Sequence, residues 1–140
     1  MTVRTNTLRI PMRGNTEMEN ITQQVQDAVH AANLAAGIAT IFVQHTTASV
    51  LIIEDEPGIR ADTQALWRQL VPPDPRWQHN TRNPGEDNGH SHLRAQLQGA
   101  SVTIPFNART LALGTWQQLV LLDFDTRARE RTVIVQVIGE

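Results

Sequence analysis

From Val3 to Ile10 the stretch VRTNTLRI alternates apolar and polar side chains. That period of two sends successive residues to opposite faces of a strand, and Pro11 is expected to end it. The period then changes. In NITQQVQDAVHAANLAAG, residues Ile21, Val25, Ala28, Val29 and Ala32 recur three and four apart, forming one stripe of a helix, with Gly37 placed as its stop. Ile38 to Gln44 and Ala48 to Glu54 read as buried strands, with HTT between or continuing them. Pro57 suits the first turn of a second helix, whose apolar positions Ile59, Leu66 and Leu70 keep near-helical spacing until VPPDP. No period is visible from Pro72 to Gly89. A connection that long in a compact domain is usually functional or disordered.

A third helix is predicted over Gly89 to Gln98, with Leu93 and Leu97 on one face and Gly99 as its stop. SVTIPF, TLAL, WQQLVLLDFD and TVIVQVIG follow as strands separated by turn-length gaps, which suggests an antiparallel C-terminal meander. The pattern reads β-α-β-β-α-α-β-β-β-β, an α+β fold with helices on one face of a sheet. The 140 residues suffice for one domain, 1–140, and are too few for two. A (β/α)8 barrel, typically about 250 residues, is excluded.

Composition narrows the chemistry further. A formal charge of −2 and a pI near 6.2 give no positive field for a phosphate backbone, so no nucleic-acid partner is expected. Every cation is Arg, which removes Schiff-base chemistry and lysine nucleophiles. The absence of Cys removes thiolate metal sites and thiol catalysis. With no signal-peptide layout and no apolar run of membrane length, no membrane partner and a cytoplasmic location are expected.

Four polar stretches remain: QHTTAS, WQHN, EDNGHSH and LGTWQ. His45 follows a buried strand, His79 lies in the irregular connection and His92 opens a helix, so three elements are able to converge. Three imidazoles with an open fourth position suit a divalent metal such as Zn²⁺. His90 and His92 stand two apart, a turn of about 200° on a helix, so one of them faces away. Spacing alone does not choose between them. Asp87 or Asn88 is placed to cap the helix, and Gly89 lets another group approach N–H groups that attract an anion such as phosphate. Thr46, Thr47 and Ser49 offer hydroxyls to phosphate oxygens or to a strand edge. Glu54, Asp55 and Glu56 suit the N-terminus of the Pro57 helix, with Glu54 also placed to support the His45 site. Trp116 reads as core, and His30 as a helix-surface residue.

Taken together, QHTTASVLIIEDEPGIRADTQALWRQLVP, the pair HN, EDNGHSHLRAQLQGASVTIP, LALGTWQQLVLLDFD and the closing VIVQVIGE resemble the YjbQ family along nearly the whole chain. The resemblance implies an α/β sandwich on a large, mostly antiparallel sheet, assembled as a homotrimer. It implies a site at His45, His79 and His92, with Asp87 matching a recurrent acid and Gly114, Thr115, Trp116 and Gln117 matching a GTWQ signature. It also implies a secondary thiamine-phosphate synthase activity, joining a pyrimidine diphosphate to a thiazole phosphate. One departure is Arg109, where relatives commonly have Gly; the turn is expected to take another shape or length.

The resulting expectation is a metal-assisted enzyme acting on a small phosphorylated metabolite. His45, His79 and His92 would hold a divalent ion, Zn or Mg, while Asp87 and Glu54 would serve catalysis. Thr46, Thr47, Ser49, Asn88, Gly89, Thr115 and Trp116 would contact substrate. A metal-dependent hydrolase and a non-catalytic trimeric metal- or metabolite-binding protein are the alternatives.

Overall fold

In the computed structural model, which describes residues 1–140, the elements run β1 (Thr2–Met12), β2 (Glu17–Asn20), α1 (Thr22–Ala32), β3 (Ala36–Val43), β4 (Ala48–Ile53) and α2 (Pro57–Leu70). The second half adds α3 (Gln78–Arg82), α4 (Gly89–Gln98), β5 (Ser101–Asn107), β6 (Thr110–Leu111), β7 (Gln118–Asp123) and β8 (Arg129–Gly139). All strand pairings are antiparallel, and the β-structure curls so that its hydrogen bonding divides into a five-stranded sheet, β1-β8-β3-β5-β6, and a three-stranded sheet, β2-β7-β4.

The alternating positions that defined the strands make the core between these sheets. Ala39, Ile41 and Val43 of β3, Ile104 and Phe106 of β5, and Val133, Val135 and Val137 of β8 face Ala48 and Val50 of β4 and Leu119 and Leu121 of β7. The stripe of α1, Val25, Ala28, Val29 and Ala32, closes the same core. Val120 and Leu122 point the other way, onto Trp67 and Val71 at the end of α2 and Ala95 of α4. Covered on both faces, β7 needs the unbroken apolar run LVLL. The fold is thus α+β, with α2 and α4 on the outer face of the smaller sheet. None of the helices is long and apolar enough to cross a membrane.

Several local expectations change. Pro11 does not end β1; it pairs opposite Glu130, because an edge strand tolerates a residue without an N–H. Helix α1 stops at Asn33, in the left-handed region at φ 54°, rather than at Gly37. Gly37 lies inside β3, where a Cβ would stand 2.0 Å from the Ile138 carbonyl oxygen. The strand β2 carries too few residues to show a period. The expected meander is split, since only β5 and β6 are hairpin neighbours, while β7 joins the smaller sheet and β8 threads between β1 and β3. The Leu stripes of α2 and α4 are also misleading: Leu66, Leu70 and Leu97 are exposed, whereas Trp67, Arg94 and Ala95 are buried.

The β5–β6 turn keeps the two-residue form expected of Gly despite Arg109. Asn107 pairs with Thr110 across Ala108 and Arg109, whose φ values are 47° and 60°, both positive as a type I′ hairpin requires. The strain is held by Asn33, which accepts from the Arg109 guanidinium at 3.0 Å, and by Gln26, which donates to the Arg109 carbonyl at 2.9 Å.

Candidate functional site

The irregular connection before α4 is fixed by its own polar groups. Trp77 donates to the Pro72 carbonyl at 3.0 Å, Asn80 donates to that of Asp74, and the Asn80 side-chain oxygen accepts the Gly89 N–H at 2.9 Å. Gly89 is required there, because a Cβ would meet both Asn80 and Trp77 at 2.9 Å. This anchoring sets His79 of α3 against His92 of α4, with ring centroids 4.5 Å apart and planes tilted by 51°. His45, in the β3–β4 connection, reaches the same space.

The resulting cavity is about 290 Å³ and no hydrophobic residue lines it. The three histidines share it with Thr46, Thr47, Glu86 and Asn88, and with Asp125, Arg129 and Arg131 from the β7–β8 segment. Its floor is a buried ion-pair network. Arg131 binds Asp123 through two nitrogens, at 2.7 and 2.6 Å, and donates to the Thr47 hydroxyl at 2.9 Å. Asp125 receives Thr47 at 3.1 Å, Asn88 at 3.1 Å, the Thr126 N–H at 2.8 Å and Arg129 at 2.7 Å. Burial works to raise its pKa, but these donors together outweigh burial and hold the carboxyl at about 2.

Two of the imidazoles, His45 and His92, are biased toward their neutral forms. For His45, burial and then the Arg131 charge lower the pKa. For His92, burial and then His79 do the same. The Nε2 of His45 accepts the Thr132 N–H at 2.9 Å, leaving its Nδ1 for the cavity. The buried side-chain oxygen of Asn88 has no partner within the chain.

The expected site residues therefore divide. His45, His79, His92, Thr46, Thr47 and Asn88 come together. Gly89 is adjacent, but its N–H is committed to Asn80 rather than free for an anion. Asn88 is the N-cap of α4, yet its side chain reaches Asp125 instead of the helix N–H groups. Asp87 is exposed and accepts from Thr126 at 2.6 Å outside the cavity, where Glu86 takes the wall position. Ser49 is buried beneath α4 with an unpartnered hydroxyl. Glu54 lies at the far end of β4, whose six residues span about 20 Å. Of its acidic neighbours, Glu56 caps α2 through the Gly58 and Ile59 N–H groups, and Asp55 binds Arg60. Thr115 and Trp116 are exposed in the turn before β7, at the end of that strand opposite Asp123; Trp116 is 71% exposed rather than core.

A resident three-histidine metal does not fit this arrangement. No three His, Cys, Asp or Glu side chains stand close enough to hold one ion, and only His79 and His92 are ring neighbours. Arg129, Arg131, Asp123 and Asp125 were not singled out from sequence. Their signal was the period of two in DFD and RER at the mouth of an otherwise apolar strand pair.

The model of the family described as UPF0047 protein YjbQ-like matches residues 6–140. The chain belongs to the YjbQ/UPF0047 family. Among curated YjbQ relatives, UPF0047 protein sll1880 of Synechocystis is 37% identical over 88% of this chain and 84% of its own. A UPF0047 protein of Methanothermobacter thermautotrophicus is 32% identical over 96% and 92%. Among solved structures, a YbjQ-like protein of unknown function from Sulfolobus solfataricus P2 superposes with a TM-score of 0.88 at 31% identity, covering 99% of this chain and all of the other. A YjbQ/UPF0047 protein from Clostridium acetobutylicum gives 0.86 at 29%, covering 95% and 99%.

Proposed function

We propose that this chain is an enzyme of small phosphorylated metabolites, working in the cavity between His45, His79 and His92. The observation that carries this reading is the cavity's lining: three imidazoles, two guanidiniums and hydroxyls meet with no hydrophobic side chain among them. Phosphoryl oxygens are strong acceptors, matched by Arg129, the Thr46 hydroxyl and the ring N–H groups. An imidazole whose pKa lies below the ordinary histidine value accepts protons at neutral pH, so His92 is the candidate for general base, whereas His45, its Nε2 already accepting the Thr132 N–H, presents its Nδ1–H to the cavity as a donor. Arg131 and Asp123 have a positioning role, since they are fully buried and bind each other and Thr47.

The finer form of the proposal is thiamine-phosphate synthesis, in which a thiazole phosphate displaces pyrophosphate from a pyrimidine diphosphate. A divalent ion is a second reading, favoured by the adjacent rings of His79 and His92; those two imidazoles would be its protein ligands. Titration calorimetry with pyrophosphate, with and without Mg²⁺ or Zn²⁺, tests both. Saturable binding lost in His92→Ala supports the site, and its dependence on added ion supports the metal. Turnover of the two thiamine precursors above a His92→Ala control supports synthesis; binding without turnover there or on a panel of phosphorylated metabolites leaves a metabolite-binding protein.

Assembly as a homotrimer is proposed on the outer face of the five-stranded sheet, where Val3, Ile38 and Phe42 are 51%, 43% and 42% exposed. Light scattering at three times the 15.6 kDa chain mass supports it, and a monomer refutes it.

A further inference from the structure

Arg94 carries a charge that nothing in the fold neutralises. It is 4% exposed. It donates to the Val71 carbonyl at 2.9 Å and to the Thr16 hydroxyl at 3.3 Å. Both acceptors are neutral, and Arg94 is absent from every ion pair of the chain. The Phe124 ring, its centroid 6.0 Å from the guanidinium carbon, offers only a weak cation–π contact. A guanidinium keeps its proton even when buried, and desolvating it without a counter-charge is strongly unfavourable.

Its surroundings repeat the sign. Arg94 borders a cavity of about 210 Å³ that also takes in Arg68 of α2 and His90 of α4, and no Asp or Glu lines it. The Nδ1 of His90, a residue only 6% exposed, is buried without a hydrogen-bond partner. Asn15 and Thr16 form part of the wall, at positive φ values of 56° and 67°. His90 and His92 therefore serve opposite sides of α4, and this cavity shares no residue with the histidine pocket.

We infer that this cavity is a second anion site, taking a phosphoryl group between Arg94 and Arg68. A phosphoryl group carries close to two negative charges and three acceptor oxygens at neutral pH. That matches two guanidiniums without acidic partners and leaves an acceptor for a His90 N–H; a single carboxylate would leave one guanidinium unmatched.

The test uses the full chain carrying His92→Ala, which disables the other pocket, titrated calorimetrically with inorganic phosphate and with glycerol 3-phosphate. Saturable binding of one phosphoryl group per chain is expected. Arg68→Gln, at an exposed position, should weaken it at least fivefold, and Arg94→Met should abolish it. Tighter binding of the monoester assigns the site to a phosphorylated compound, and equal binding to free phosphate; both support it. In phosphate-free buffer, Arg94→Met should melt no lower than its parent, because an apolar chain replaces an unmatched charge. No saturable binding, or binding indifferent to Arg68→Gln, overturns the proposal. So does an absence of binding together with a change of oligomeric mass in Arg94→Met, which would assign the counter-charge to a carboxylate of a second copy.

Discussion

Replacing Asp125 by Asn should remove a specific acid-sensitive part of the stability. The carboxyl is 2% exposed and receives Thr47, Asn88, the Thr126 N–H and Arg129. Burial opposes its charge, yet these donors bring the pKa from 3.8 to about 2. At ~1.36 kcal/mol per pKa unit, that depression corresponds to about 2 kcal/mol of stability from ionisation at this one group. Because the folded-state value is the lower one, that contribution is complete above the ordinary Asp value and is lost as pH falls through the folded value. Urea unfolding of both proteins between pH 2 and 7 measures it. The wild type should lose about 2 kcal/mol more than Asp125→Asn between pH 5 and 2, because only the wild type takes up this proton on unfolding. At pH 7 the variant should be less stable by about 3–5 kcal/mol, since its amide N–H groups face donors and leave a buried charge cluster unbalanced. Parallel stability profiles of the two proteins below pH 5 would refute the reasoning. Should the variant fail to fold, a carboxyl ¹³C titration of the wild type decides: an Asp125 midpoint at the ordinary value refutes it equally well.

Four further variants probe the elements that place the site. Gly37→Ala should cost about 4 kcal/mol or more in urea unfolding, because the new Cβ meets backbone atoms of Ile138 and Gly139 that have no room to move; a loss below ~1 kcal/mol would show that β3 and β8 separate easily. Ala108→Asn with Arg109→Gly should stabilise by about 0.5–1 kcal/mol, relieving two positive-φ residues at the loss of one side-chain hydrogen bond to Asn33; an unchanged urea midpoint would deny that strain. Trp67→Ala should cost about 3–5 kcal/mol, as its ring packs edge-on to Phe124 at 5.0 Å. Its neighbour Leu66, 54% exposed, should change stability by less than about 0.5 kcal/mol on replacement by Ala, and a larger loss would restore the Leu stripe as a packing face.

The convergence of three histidines was legible because imidazoles are few and chemically distinctive, with the family resemblance choosing His92 over His90. His45, His79 and His92 were named from three separate elements, and the fold gathers them. The acids were less legible. Asp87 and Glu86 are adjacent in sequence, and only the path of the connection decides that Glu86 faces the cavity while Asp87 turns to Thr126. Glu54 was placed beside the site because it ends the strand that follows His45, but an extended strand carries its two ends far apart; Trp116 entered through the GTWQ signature, and it is exposed before β7, at the end of that strand opposite Asp123.

What the chain determined by itself was local and periodic: the strand alternations, the α1 stripe, the turn-forming residues and the inventory of groups able to do chemistry. Each follows from forces acting within a few residues. Pairing β7 with β2 and β4, seating β8 between β1 and β3, and burying Arg131 and Arg94 were decisions of the tertiary structure. Burial and charge pairing depend on which distant segments share a volume. Arg131 gains Asp123 and Asp125 as close neighbours, Arg94 gains no acid at all, and the same side chain thereby becomes a support in one cavity and an unanswered charge in the other.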